Sequence, residues 1–116
     1  MNPLNEEKLI VVWSTADKEV ASKMVFMYTL NAKKFSWWQE ITLIVWGPSA
    51  RLLAEDLELQ LTIREMRKAG IKLEACLACA ESYRVDKKLA DLGIDVKYMG
   101  EPLTTYLKSG YKILSF

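Results

Sequence analysis

Two kinds of apolar pattern alternate along this chain. Short apolar runs, rich in β-branched residues, occur at KLIVVW (8–13), ITLIVWG (41–47), IKLEA (71–75), IDVKYM (94–99) and YKILSF (111–116). Runs of that length and makeup suit buried parallel strands. The segments between them have helix-forming composition and helix punctuation. Ser14, Thr15 and Asp17 offer N-caps to KEVASKMVFMYTLNAKKF. Pro48 suits the first turn of a helix continuing through SARLLAED. Residues 57–63 alternate like a strand but also form i,i+4 pairs. The good helix formers that follow, closed by Gly70, decide for a helix over 56–69. LACAESYR, DKKLADLG with Asp86 as cap and Gly93 as stop, and EPLTTYLKSG complete the helices.

Strands alternating with helices predict a five-stranded, mainly parallel sheet covered on both faces. No linker, repeat or low-complexity stretch interrupts the pattern, so residues 1–116 read as one domain. The helix over residues 18–34 is apolar around more than one stripe (Val20, Ala21, Met24, Val25, Phe26, Met27, Tyr28, Leu30). A helix apolar nearly all round is buried on two sides, so this one predicts a subunit interface.

In an open α/β sheet, ligands bind outside the carboxyl ends of the strands. Four segments fall there: Trp13-Ser14-Thr15, Trp46-Gly47-Pro48-Ser49, Cys76 to Cys79, and Met99-Gly100-Glu101. Two indoles and two thiols at one rim predict a pocket drawing on Trp13, Ser14, Trp46, Gly47, Ser49 and Gly100 beside Cys76 and Cys79. The competing reading is that Trp13 and Trp46 only cap the core.

Composition narrows the chemistry. The chain has 16 basic and 15 acidic residues, a net charge of +1, two cysteines and no histidine. A nucleic-acid partner calls for a basic excess clustered on one face, and the total shows none, so no nucleic acid is expected. No apolar run approaches the length of a membrane span, so no membrane partner is expected either. MNPLNEEKL lacks the regions of a signal peptide, which predicts a cytoplasmic protein with reduced thiols. Without histidine, Ser-His-Asp catalysis is excluded. Two cysteines fall short of the four ligands of a structural zinc site, so neither metal nor cofactor is expected. Neither the phosphate-binding loop nor the dinucleotide fingerprint is present.

The thiols remain. Cys76 is placed at the carboxyl end of a strand that opens onto a helix, where the helix dipole favours thiolate, the reactive form. Ala75, Ala78 and Ala80 are small enough to let a persulfide or another backbone approach. Arg84, about two turns on, is a candidate electrostatic helper or a solvated surface charge. C-x-x-C also occurs in thioredoxin-like dithiols, but their WCGPC surroundings after an early strand are absent. Free cysteines are also among the most buried residues, so packing alone is the alternative.

The stretch IKLEACLACAESYRV, a short strand, a final helix and the closing KILSF resemble the DsrE/DsrF family of small sulfur-relay proteins, including its YchN-type members. The layout of the N-terminal half agrees, so the resemblance spans the chain. It implies a Rossmann-like, three-layer α/β/α sandwich and homo-oligomers, trimers or hexamers. It also implies a sulfurtransferase-like carrier in which Cys76 accepts sulfur as a persulfide and exchanges it with donor or acceptor proteins. Cys79 matches the second cysteine of YchN-type members.

Overall fold

The computed structural model describes residues 7–116. Five strands form one sheet: β1 (Lys8–Trp13), β2 (Glu40–Val45), β3 (Lys72–Cys76), β4 (Asp95–Lys97) and β5 (Lys112–Ser115). Their spatial order is β4-β3-β2-β1-β5, and every pairing is parallel. The sheet is thus wholly rather than mainly parallel.

Among the described residues, six helices cover it. Helix α1 is continuous but changes pitch, running as α-helix over Lys18–Val20, π-helix over Ala21–Phe26 and α-helix over Met27–Lys34. The others are α2 (Ser49–Glu55), α3 (Leu57–Lys68), α4 (Leu77–Ser82), α5 (Asp86–Asp91) and α6 (Gly100–Lys108). The single helix expected over 56–69 is α3, capped by Asp56, whose carboxylate accepts from the Leu59 N–H at 2.9 Å. Two caps differ by one position: Pro48 and Val85 are the capping residues of α2 and α5, and Asp86 is already helical.

Topology decides which face each helix covers. Crossovers between parallel strands are right-handed. From β1 to β4 the chain steps one way across the sheet, so α1 to α5 lie on one face. The last crossover runs back past β1 to β5 and puts α6 alone on the other. The helical side chains in each core follow this division. Ala21, Val25, Phe26, Leu53, Ile63, Met66 and Leu89 meet Leu9, Val11, Trp13, Leu43 and Ala75 on the first face. Met99, Leu103 and Tyr106 meet Ile10, Ile44 and Cys76 on the second. Each large apolar side chain fully buried in this way contributes about 1.5–3 kcal/mol.

The two faces differ in coverage. None of the residues of α6 is buried, and Val12, Trp46, Tyr111 and Ile113 beneath it are only partly so. Helix α1 buries one stripe rather than two. Ala21, Val25, Phe26, Thr29 and Ala32 face the sheet, while Val20, Met24 and Met27 stay 37, 44 and 51% exposed.

Candidate functional site

Cys76 is the last residue of β3 and the N-cap of α4, with extended backbone (φ −72°, ψ 115°). Cys79 follows one helical turn later, and both thiols are free. Cys79 packs against the apolar cluster that holds Cys76. Burial, and then Cys76, push the Cys79 thiol above its usual range, against the pull of a bond from the Gly47 N–H. Cys79 therefore holds its proton. Gly47 adopts φ +75°, a left-handed conformation that aims this N–H and that glycine takes without steric cost.

The exposure of the pair departs from the sequence expectation. Cys76 is only 6% exposed, packed with Ile10, Ile44 and Met99, while Cys79 is half-buried. The cover over Cys76 is thin, since Cys79, Trp46 and Leu103 are themselves only partly buried. Of the three flanking alanines, Ala75 and Ala80 belong to the core and only Ala78 faces outward.

The remaining rim residues divide. Trp46 packs against the same apolar cluster as the two cysteines. Trp13 does not join them. It alternates to the other face, is fully buried, and meets Phe26 edge-on with ring centroids 4.9 Å apart. It is a core residue and not a pocket wall, because strand side chains alternate and its neighbours Val11 and Leu9 fix its side. Ser49 is also buried. Its hydroxyl donates to the Trp13 carbonyl at 2.6 Å, with the Trp46 carbonyl at 3.2 Å, and so ties the ends of β1 and β2. The Ser14 N–H and Oγ–H both donate to the Phe116 carbonyl at 2.7 and 2.8 Å, which closes the rim where the strand order reverses between β1 and β5. Gly100 is exposed, and a Cβ added to it would have no neighbour within 4 Å. The structure thus brings Cys76, Cys79, Trp46 and Gly47 to one end of the sheet, and assigns Trp13 to the core and Ser14 and Ser49 to structural bonds. Arg84 is exposed and has no contact with either thiol among the described bonds.

Sequence reasoning missed Glu74. It lies two residues before Cys76 on the same face of β3 and is 7% exposed. The Tyr106 hydroxyl donates to it at 2.6 Å and the Lys97 ammonium at 2.5 Å, with Asp95 on the far side of Lys97 at 2.8 Å. Asp95 and Glu74 hold the Lys97 ammonium well above its ordinary range. Burial, and then Glu74, hold the Tyr106 phenol well above its own. A lone acid inside the apolar run of β3 was the available signal, since a buried carboxylate persists only when paired. This network ties β4 and α6 to β3 and so seats Met99 over Cys76. Among the described residues, no cluster of three or more Cys, Asp or Glu side chains is arranged to hold a metal.

A sequence profile of the DsrE/DsrF-like family matches residues 7–116. The chain belongs to that family. Among solved structures, a conserved protein of unknown function from Bacteroides thetaiotaomicron, BT1422, is 46% identical, with a TM-score of 0.92 and 95% of each chain covered. The ychN protein from E. coli superposes with a TM-score of 0.69 at 14% identity, over 96% of this chain and 99% of its own. MTH1491 from Methanobacterium thermoautotrophicum, also of unknown function, gives 0.71 at 15%, over 94 and 98%. These last two are alike in fold. No functionally curated protein matches the sequence. As a DsrE/DsrF-like protein, the chain is a small α/β domain, and among its described residues no helix is long and apolar enough to cross a membrane.

Proposed function

We propose that this DsrE/DsrF-like protein is a sulfur carrier that holds sulfane sulfur as a persulfide on Cys76. The observation that carries the reading is the pair of free thiols packed in one cluster at the carboxyl end of β3, the Cys79 thiol pushed above its usual range by burial and by Cys76. Family membership supports it.

The chemistry is thiol exchange and needs no histidine base. The Cys76 thiolate attacks the terminal sulfur of a donor persulfide. The donor S–S bond breaks, its electron pair leaves on the donor thiolate, and Cys76 gains one sulfur. An acceptor thiolate then takes that terminal sulfur and returns Cys76 as thiolate. Alternatively Cys79, once deprotonated, attacks the Cys76 sulfur, forms a Cys76–Cys79 disulfide and expels hydrosulfide. An external dithiol then restores both thiols. Such chemistry suits a reducing compartment, in keeping with a cytoplasmic location. The test is transfer from a cysteine desulfurase supplied with cysteine, read as a sulfur adduct on Cys76.

Burial of Cys76 and the half-covered second face also favour a second reading, an oligomeric binding or assembly protein whose cysteines only pack. Both readings share a homo-oligomer, trimer or hexamer, for which the exposed stripe of α1 and the face under α6 are the candidate surfaces. Light scattering during gel filtration is expected to give three or six times the mass of the chain, and a monomer at micromolar concentration would remove the oligomer from both.

A further inference from the structure

The net charge of +1 conceals a sorting of the charges at the helix ends. Because all five strands are parallel, the helix that leads into each following strand (α1, α3, α5 and α6) ends at the amino rim of the sheet. The last turns there carry Lys33, Lys34, Arg67, Lys68, Lys88 and Lys108. The first turns, at the thiol rim, carry Glu19, Glu58, Asp86 and Glu101. Cations at helix C-termini offset the helix dipole, which accounts for where they sit. It does not account for the features around them.

Lys33, Arg64, Arg67 and Lys68 have no ion-pair partner among the described residues. Arg64, Arg67 and Lys68 line a cleft of about 630 Å³ whose other wall is the end of α5, where Asp91 is the single carboxylate of the lining. There the Arg67 guanidinium lies so close over Gly93 (φ +85°) that an added Cβ would sit 2.6 Å from its Nε. Lys33, Ser36, Trp38 and Gln39 line a second cleft of about 570 Å³, with Glu7 as its one carboxylate. Lys33 reaches the turn after α3, within 3.5 Å of where a Gly70 Cβ would stand, and so links the two. Beside the second cleft, Ser36 is held at φ +56°. That turn stacks Phe35 on Trp37 at 5.7 Å with both rings more than half exposed, 57 and 54%. The Lys34 ammonium stands 5.5 Å from the Phe35 ring centre.

Cations outside ion pairs, concave clefts and exposed stacked rings at one end of the sheet fit a ligand that alternates negative charge with planar apolar faces. We propose that the amino rim binds single-stranded nucleic acid, its phosphates along Lys33, Arg64, Arg67 and Lys68 and a base stacked on the Phe35–Trp37 pair. A duplex hides its base faces, and a flat lipid surface would leave both clefts unfilled. The expectation of no nucleic-acid partner rested on the total charge, and the cations gather on one rim all the same.

The test is fluorescence anisotropy of a fluorescein-labelled oligo(dT) of about a dozen nucleotides, long enough for one such groove. Binding is expected at about 50 mM salt and should weaken about twentyfold by about 200 mM, the slope for roughly three phosphate contacts. The triple variant R64Q/R67Q/K68Q and the single variant Trp37→Ala should each weaken binding tenfold or more. Lys87→Gln at the opposite rim should leave it unchanged. Trp37 lies on an exposed turn, so its variant keeps the test open should the triple variant be unstable. No binding at low salt overturns the proposal, as does an unchanged Trp37→Ala or an equal loss with Lys87→Gln. Cosedimentation with phosphatidylglycerol vesicles but no oligonucleotide binding overturns it as well.

Discussion

In the proposed carrier Cys76 receives the sulfur and Cys79 holds a proton beside it. Burial and Cys76 raise the Cys79 pKa. The proton is therefore bound more tightly in the folded state than in the unfolded chain. The stability this contributes is present below the unfolded thiol pKa of about 8.5 and is lost as pH rises through the higher folded value. Iodoacetamide labelling of Cys79 in the native protein is thus expected to rise at higher pH than in urea. Cys76→Ser should lower the midpoint only in part, because burial remains. Coincident native and unfolded profiles would show that the two sulfurs do not interact. At this scale the sequence disclosed the pair by its spacing and its place after a strand. It did not disclose which thiol is covered, because that depends on Met99, which arrives from another crossover. Trp13 was misplaced for a related reason. Its position at a strand end was legible, but the face it takes depends on the alternation of β1 against two unequal layers.

At the scale of elements, two turns and one helix carry the consequences. Helix α4 ends in a Schellman-type turn, in which the Val85 N–H donates to the Ala80 carbonyl at 2.8 Å and Arg84 takes φ +60°. A side chain there costs about 1–2 kcal/mol relative to right-handed backbone. Arg84→Gly is therefore expected to stabilise the fold by about 1 kcal/mol. A raised urea midpoint at unchanged slope is the sign, and an unchanged or lowered midpoint would mean that the Arg84 side chain offsets its strain. Helix α6 is held by few contacts, one of them the Tyr106–Glu74 bond. Tyr106→Phe is expected to cost about 1 kcal/mol. It should also speed alkylation of Cys76, because Met99 at the start of α6 is its cover. Destabilisation without faster labelling would separate α6 from access to the site. Strand runs and most helix limits were legible, since apolar runs, Gly70, Gly93 and Gly110 mark them. The π segment of α1, which buries Ala21, Val25 and Phe26, was not, because no punctuation in the sequence marks a change of pitch.

At the scale of the molecule, strand order does what no local pattern shows. Placing β5 beside β1 leaves one helix to cover the whole second face, and that face carries Cys76 and Glu74. The same parallel arrangement sorts charge between the rims, with thiols at the acidic end and exposed aromatic rings at the basic end. The central claim is that Cys76 receives sulfur, and peptide mass spectrometry tests it most directly. Wild type, Cys79→Ser and Cys76→Ser are each incubated with a cysteine desulfurase and cysteine. Because both cysteines lie in one tryptic peptide, Leu73 to Arg84, the variants assign the atom. Wild type and Cys79→Ser should gain the mass of one sulfur on that peptide, and Cys76→Ser should not. No adduct on any of the three, or an adduct that survives in Cys76→Ser, would contradict the account.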